Sequence, residues 1–288
     1  MVNLTPVESS AASAPRVNTD VFDGPRPLAD VLADYRANGW ARVGRLCSEP
    51  ELEALRARID AIMMGEIVYP GMFFQRDTDN GSYDDLSFGK GYEGPTLRYR
   101  KVEKLEMDPL FLRWIEDPRF YAIAREAVGP ELTLYRALVF NKAAETGGSY
   151  LPWHQDGGRF WGLDRDPTLQ IWTALDDAPE NGGCIEVLPG SHLRGLATPL
   201  GGVVPKHLLE EHRAEERALR IPARAGEVLL IHNMLWHRSV RSTTGKPRRA
   251  LTACYMDAAT RCLRTKRTPR VFFPLFRDLS LTSARETT

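Results

Sequence analysis

Leu132-Thr133-Leu134-Tyr135-Arg136-Ala137-Leu138-Val139-Phe140-Asn141-Lys142 marks the point where this chain changes character. It is a stretch dominated by apolar and aromatic residues that suits a pleated, largely buried surface. Similar runs follow at Leu169 to Asp176, Cys184 to Leu188, Leu219 to Pro222, Glu227 to His232, Trp236 to Val240 and Arg249 to Met256, separated by Gly, Pro and Asn turns. Short strands in that succession predict an all-β core that closes into a sandwich or small barrel. One helical interruption is expected, Lys206 to Arg217, after a Gly- and Pro-rich loop from Pro189 to Pro205, and together they read as a lid.

Upstream the pattern is helical. Leu28, Val31, Leu32 and Tyr35 recur at helical spacing between Pro27 and Asn38, and Gly39 suits the left-handed turn beyond a helix end. Trp40 to Leu46 alternates as a strand. Ser48 with Glu51 three residues later forms a capping box that opens a second helix through about Met64. From Gly65 to Gly94 the chain is dense in Gly, Asp, Tyr and Phe without periodicity, which is long for a connection and predicts either a substrate-covering loop or plain surface irregularity. A third helix is expected from about Pro109 to Val128.

The organisation that follows is a disordered tail over 1–24, one domain over 25–278 and a polar tail over 279–288. Within the domain, 25–130 is the helical N-terminal part and 131–260 the β core. The chain has 288 residues, 43% hydrophobic and 26% charged, which excludes a fully disordered protein. Its 38 basic and 38 acidic residues cancel, so no global field draws it to nucleic acid or an anionic membrane, and a small molecule is the expected partner. No apolar run approaches the roughly 20 residues of a membrane span. The N-terminus lacks a secretory signal pattern, and the expected address is the cytoplasm. Cys47, Cys184, Cys254 and Cys262 form no C-x-x-C pair and read as buried small hydrophobes.

His154-Gln155-Asp156 is the first group with metal-binding chemistry, since H-x-D at a strand edge sends both side chains to one side of the backbone. The triplet alone says little, but its surroundings are specific. Pro152-Trp153-His154-Gln155-Asp156-Gly157-Gly158 is followed by Ala174-Leu175-Asp176-Asp177, Glu180-Asn181-Gly182-Gly183 and Leu188-Pro189-Gly190-Ser191-His192. Downstream stand His237-x-Ser239 and, eleven residues beyond that histidine, Arg248.

This order resembles the phytanoyl-CoA dioxygenase family of iron(II)/2-oxoglutarate oxygenases, over about residues 27 to 260. The resemblance implies a double-stranded β-helix, the cupin-like jelly roll, with flanking helices. It implies His154, Asp156 and His237 as iron ligands, a face that leaves the other positions of an octahedral metal for 2-oxoglutarate and O2. It implies Arg248, with the Ser239 hydroxyl beside it, as the clamp on the far carboxylate of 2-oxoglutarate, a task suited to a planar guanidinium. Asn141 and Lys142 match an Asn-Lys of the family that touches the co-substrate.

Two rivals stand beside these assignments. Arg249 is the alternative to Arg248, because neighbours on a strand face opposite ways; the spacing of eleven from His237 favours Arg248. His232 is the alternative to His237, which is preferred for Ser239 and Arg248 at their offsets; His232 reads as a core histidine. His192 belongs to its turn, and His207 and His212 read as solvent-facing. Asp156 itself favours hydroxylation or another oxidation that begins with hydrogen abstraction, because halogenating relatives replace that carboxylate with Gly or Ala.

The substrate pocket is drawn more loosely. Gln170, Trp172 and Ala174 share one strand face, and Trp172 lines either the pocket or the core. Glu186 stands where relatives carry an aliphatic residue and faces either the pocket, to hold a cationic or hydroxylated substrate, or water. Phe160 and Trp161, with Phe73 and Phe74, form either aromatic walls or ordinary core. The family often reads His-Gly-Ser-Gly-Pro-Asn where this chain has His237-Arg238-Ser239-Val240-Arg241-Ser242, so no relative's substrate carries over. The expected activity is oxidation of a small polar metabolite in natural-product biosynthesis, with release of succinate and CO2. The alternatives are a catalytically silent jelly-roll binding protein, and a zinc hydrolase in which Ser239 and Arg248 would have no task.

Overall fold

Two β-sheets stacked face to face, with helices against the outside of the larger one, make up the computed structural model, which describes residues 16–265 and 269–277. In chain order the strands are β1 (Arg16–Val17), β2 (Trp40–Arg45), β3 (Phe73–Arg76), β4 (Tyr99–Glu103), β5 (Leu132–Lys142), β6 (Leu151–Gln155), β7 (Leu169–Ala174), β8 (Ile185–Val187), β9 (Gly202–Val203), β10 (Leu219–Ile221), β11 (Glu227–His232), β12 (His237–Ser239), β13 (Arg248–Asp257) and β14 (Phe273–Pro274). The larger sheet runs β2-β11-β7-β13-β5-β4-β3, with β14 beside β5, and the smaller runs β1-β10-β8-β12-β6-β9. Apart from the parallel β1–β10 pair, the ladders are antiparallel. This is the all-β sandwich expected from the strand succession, and the jelly roll that the family resemblance implies.

Alternation along the larger sheet divides its side chains between two cores. Val228, Leu230, Ile171, Leu251, Ala137 and Val139 face the helices and join Leu52, Leu55, Ile59 and Phe111 in the main hydrophobic cluster. Leu229, Ile231, Trp172, Ala174 and Ala250 face the smaller sheet and meet Ile185, Val187 and Ile221. The ligand cavity lies in this second layer, so every site residue on a strand must have inward parity.

The helices are α1 (Leu28–Asn38), α2 (Glu49–Met64), α3 (Pro109–Ile115), α4 (Pro118–Ala127), α5 (Lys206–Glu211) and α6 (Ala214–Arg217). Gly39 ends α1 at φ 79°, a left-handed conformation that glycine adopts without penalty. The Ser48–Glu51 capping box opens α2 as read from the sequence. The single helix expected over 109–128 is instead two. Asp117 caps the second, accepting from Arg119 N at 2.8 Å, and Pro118 at its first turn cannot continue the helix before it.

Three other expectations are corrected. Within 1–24, residues 1–15 lie outside the described residues, but Arg16 and Val17 pair with β10 and Asn18 hydrogen-bonds Arg42, so this part is built into the fold. The polar tail at 279–288 also lies outside the described residues. The 65–94 stretch contains β3, which pairs with the unanticipated β4 and extends the larger sheet past β5. The 189–217 insertion docks behind β6 and not over the cavity: β9 pairs with His154 and Gln155, while Ala214 and Ala218 pack against Trp153 and Trp236. Trp153 has the opposite parity to His154, which places this packing on the outer face. No helix among the described residues is long and apolar enough to cross a membrane.

Candidate metal centre

β6 and β12 are neighbours in the smaller sheet, and their register sets His154 directly opposite His237. The ring centroids are 4.0 Å apart. Asp156 follows the end of β6 with the same parity as His154, and one ligand atom from each of His154, Asp156 and His237 lies within 4.8 Å of the others. Each imidazole is oriented by a backbone carbonyl two residues earlier: His154 Nδ1 to Pro152 O and His237 Nδ1 to Leu235 O, both 2.9 Å. A carbonyl only accepts, so Nδ1 carries the proton in each neutral ring and Nε2 is left with a free lone pair.

The charges support the same arrangement. Burial, reinforced by His237 nearby, pushes the His154 pKa well below the usual histidine value and keeps that ring neutral. Burial works against the Asp156 charge, but the Arg136 guanidinium, with a hydrogen bond from Gln170, outweighs it and holds the carboxyl below its usual range. Two imidazole nitrogens and one carboxylate oxygen on one side of a shared space fit a divalent first-row metal bound on one face.

Arg248 faces the same cavity from β13, whose inward residues include Ala250 and Thr252. Its side chain is 4% exposed and has no hydrogen bond or ion pair among the described residues; its Nε is buried without a partner. Burial pushes its pKa down to about 10. A buried guanidinium without a counter-charge is costly, and an anionic ligand relieves that cost. Arg249, of opposite strand parity, points away from the cavity into Asp176 (2.8 Å) and Asp60 (2.7 Å). Ser239 lies beside Arg248 in the lining.

Lys142 lines the cavity with its ammonium on Ser149 O at 2.8 Å, and burial lowers its pKa well below the ordinary lysine value. Asn141 borders the cavity, but its amide donates to Leu97 O (2.8 Å) and Tyr99 O (3.0 Å), so its donors hold the chain entering β4. Gln170 reaches the centre: its Nε2 donates to Asp156 Oδ2 at 2.9 Å. Trp172 both lines the cavity and packs in the inner core.

Several expected pocket residues lie elsewhere. Glu186 is fully buried but faces outward between Arg220 (3.2 Å) and Arg238 (2.7 Å), because its neighbours Ile185 and Val187 take the inward parity of β8. Phe160 is 66% exposed and outside the lining. Trp161 is buried against Tyr135, rings 4.3 Å apart, and carries the Arg136 guanidinium. Phe74 belongs to the outer core, and Phe73 supports the Lys101 ammonium. His232 is paired with His192, centroids 4.9 Å apart, and accepts from Met234 N, as a structural histidine does. His212 is half-buried against Trp236 and is not simply solvent-facing.

Sequence reading missed Arg100, Thr252, Asn233 and Arg136. Arg100 and Thr252 line the cavity. Asn233 donates to Asp156 O at 3.0 Å and accepts Asp156 N at 2.8 Å on its own carbonyl, fixing the backbone of the ligand. Arg136 lies 3.4 Å from Asp156 Oδ1. Only inward parity on β5 distinguishes Arg136, and that needs the register with β13.

A jelly roll carrying two histidines and a carboxylate on adjoining strand positions, with the buried and unpaired Arg248 guanidinium lining the same cavity, defines a mononuclear metal oxygenase architecture. The model of the phytanoyl-CoA dioxygenase (PhyH) family matches residues 35–250, and the chain belongs to that family of iron- and 2-oxoglutarate-dependent oxygenases. Peroxisomal phytanoyl-CoA dioxygenase of Mus musculus is 24% identical over 238 residues, covering 80% of this chain and 68% of its own. Among solved structures, the epimerase SnoN in complex with Fe3+, alpha ketoglutarate and nogalamycin RO superposes with a TM-score of 0.65 at 21% identity, covering 87% of this chain and 96% of that one. EctD from S. alaskensis with 2-oxoglutarate and 5-hydroxyectoine gives 0.66 at 19% identity, covering 92% and 90%.

Proposed function

We propose that this oxygenase oxidises a small polar metabolite, by hydroxylation or oxidative ring closure, with release of succinate and CO2, and that it serves natural-product biosynthesis. His154, Asp156 and His237 would hold the iron; Arg248 and Ser239 would take the far carboxylate of 2-oxoglutarate, with Lys142 and Asn141 at the border of that subsite. When bound, the iron and 2-oxoglutarate supply the activation of O2 beside the substrate. The chain's own part is to orient the two imidazoles through Pro152 O and Leu235 O, to fix Asp156 through Gln170, and to exclude water from the guanidinium end of the cavity.

The observation that carries this reading is Arg248, a buried cation with no protein partner in the same cavity as the three metal donors. A bare metal hydrolase has no use for it, whereas a dicarboxylic co-substrate does. The biosynthetic role draws support from SnoN, described in complex with nogalamycin RO. Anaerobic titration with iron(II) and 2-oxoglutarate tests the centre: a metal-to-ligand charge-transfer band is expected in wild type and none in His154→Ala. An undiminished band in that variant would remove His154 from the ligand set. Screening pathway metabolites by succinate release then identifies the substrate, and a protein that turned nothing over would be a binding protein.

A further inference from the structure

Resting on the metal-centre reading above, we propose that Arg136 is a positioning residue that restricts Asp156 to one-oxygen coordination and so keeps a metal position open. The two oxygens of Asp156 have different surroundings. Oδ2 lies 3.8 Å from His237 Nε2 and faces the space between the donors, while Oδ1 is turned to Arg136 Nη2 at 3.4 Å. Gln170 Nε2 donates to Oδ2 at 2.9 Å and leaves that oxygen a further lone pair. The carboxylate is therefore gripped from both sides, with one oxygen presented and the other withheld.

Arg136 is itself held in place. It projects from β5 on the inward side, opposite in parity to Ala137 and Val139 of the outer core. Glu103 Oε1 lies 3.8 Å from its Nη1, and its guanidinium lies 4.6 Å over Trp161, which stacks on Tyr135. A planar cation pinned by a carboxylate and a ring loses little freedom when it grips a second carboxylate. A carboxylate that rotated to give both oxygens to the metal would fill one of about three positions that the three-donor face leaves open. The two chelating atoms of 2-oxoglutarate and O2 need all three.

Water-proton relaxation of the manganese(II)-loaded protein counts the waters on the metal and needs no turnover. With Arg136→Met, coordinated water is expected to fall from about three to about two, lowering relaxivity by roughly one third, and 2-oxoglutarate affinity should fall although Arg248 is untouched. Arg136→Lys, which keeps the cation, should recover most of both. Thermal melting establishes which variants fold, and Arg136→Gln replaces the methionine variant if that one does not. Wild-type relaxivity and 2-oxoglutarate affinity in a folded neutral variant would overturn the proposal. Failure of the wild type to bind manganese would instead overturn the metal centre itself.

Discussion

Replacing Arg248 by methionine should move stability and co-substrate affinity in opposite directions. The guanidinium is 4% exposed, has no counter-charge within hydrogen-bonding reach among the described residues, and its pKa is pushed down to about 10 by burial. A base whose folded pKa is depressed binds fewer protons folded than unfolded only between its folded and unfolded values. The penalty is therefore fully present at neutral pH and is relieved only as pH rises above about 10. At about 1.4 kcal/mol per pH unit, the displacement corresponds to roughly 3 kcal/mol of unfavourable charge burial. Methionine has similar length and no charge, so the metal-free variant should be more stable than wild type by about 1–3 kcal/mol, a rise of several degrees in Tm. The same change removes the proposed partner of the 2-oxoglutarate tail. Truncating one side of a buried charged pair costs about 2–5 kcal/mol, which is roughly a 30-fold to several-thousand-fold loss of affinity. Calorimetric melting of metal-free protein, and charge-transfer titration with 2-oxoglutarate under argon, give the two numbers. A lower Tm together with unchanged 2-oxoglutarate affinity would refute the reasoning, because Arg248 would then be a structural cation satisfied within the protein.

The neighbouring Arg249 should behave in the opposite way: Arg249→Met removes the partner of Asp60 and leaves Asp176 only Arg56, so Tm should fall while 2-oxoglutarate affinity of the folded protein is retained. Glu186→Ala leaves Arg220 and Arg238 without their shared carboxylate, each keeping only a more exposed one, Glu180 and Glu215, and a loss of about 1–3 kcal/mol is expected in denaturant unfolding. If Glu186→Ala instead changed substrate preference without loss of stability, its outward placement would be wrong. Burial, with His192 nearby, pushes the His232 pKa down to about 4, so the unfolded chain binds the extra proton between that value and the ordinary histidine range. Stability of the metal-free protein should therefore rise with pH across this window. In His232→Gln that slope should flatten by roughly 2 kcal/mol over the window, as measured by unfolding at several pH values.

The β core, the capped second helix and the shared face of His154 and Asp156 were legible in the sequence because each is written locally. Apolar runs between turn residues specify strands, the Glu51 carboxylate accepts both the backbone N–H and the hydroxyl of Ser48, and His154 and Asp156 share a face by the two-residue period of a strand. The choice between Arg248 and Arg249 needed only that one face inward, and the spacing from His237 pointed to the first. What the sequence could not fix was which partner each strand would meet. Glu186 and Ile185 are adjacent and both buried, and only the pairing of β8 with β10 and β12 shows that the carboxylate faces Arg220 and Arg238 while the isoleucine faces the cavity. The same dependence hid Arg136 and Arg100, whereas the break in the single helix expected around Pro118 was local, set by the Asp117 cap and the proline itself. Local propensity and period decide what a segment becomes; the direction a side chain faces, and the charge it meets there, depend on contacts between residues far apart in the chain, and those exist only once the two sheets have closed on each other.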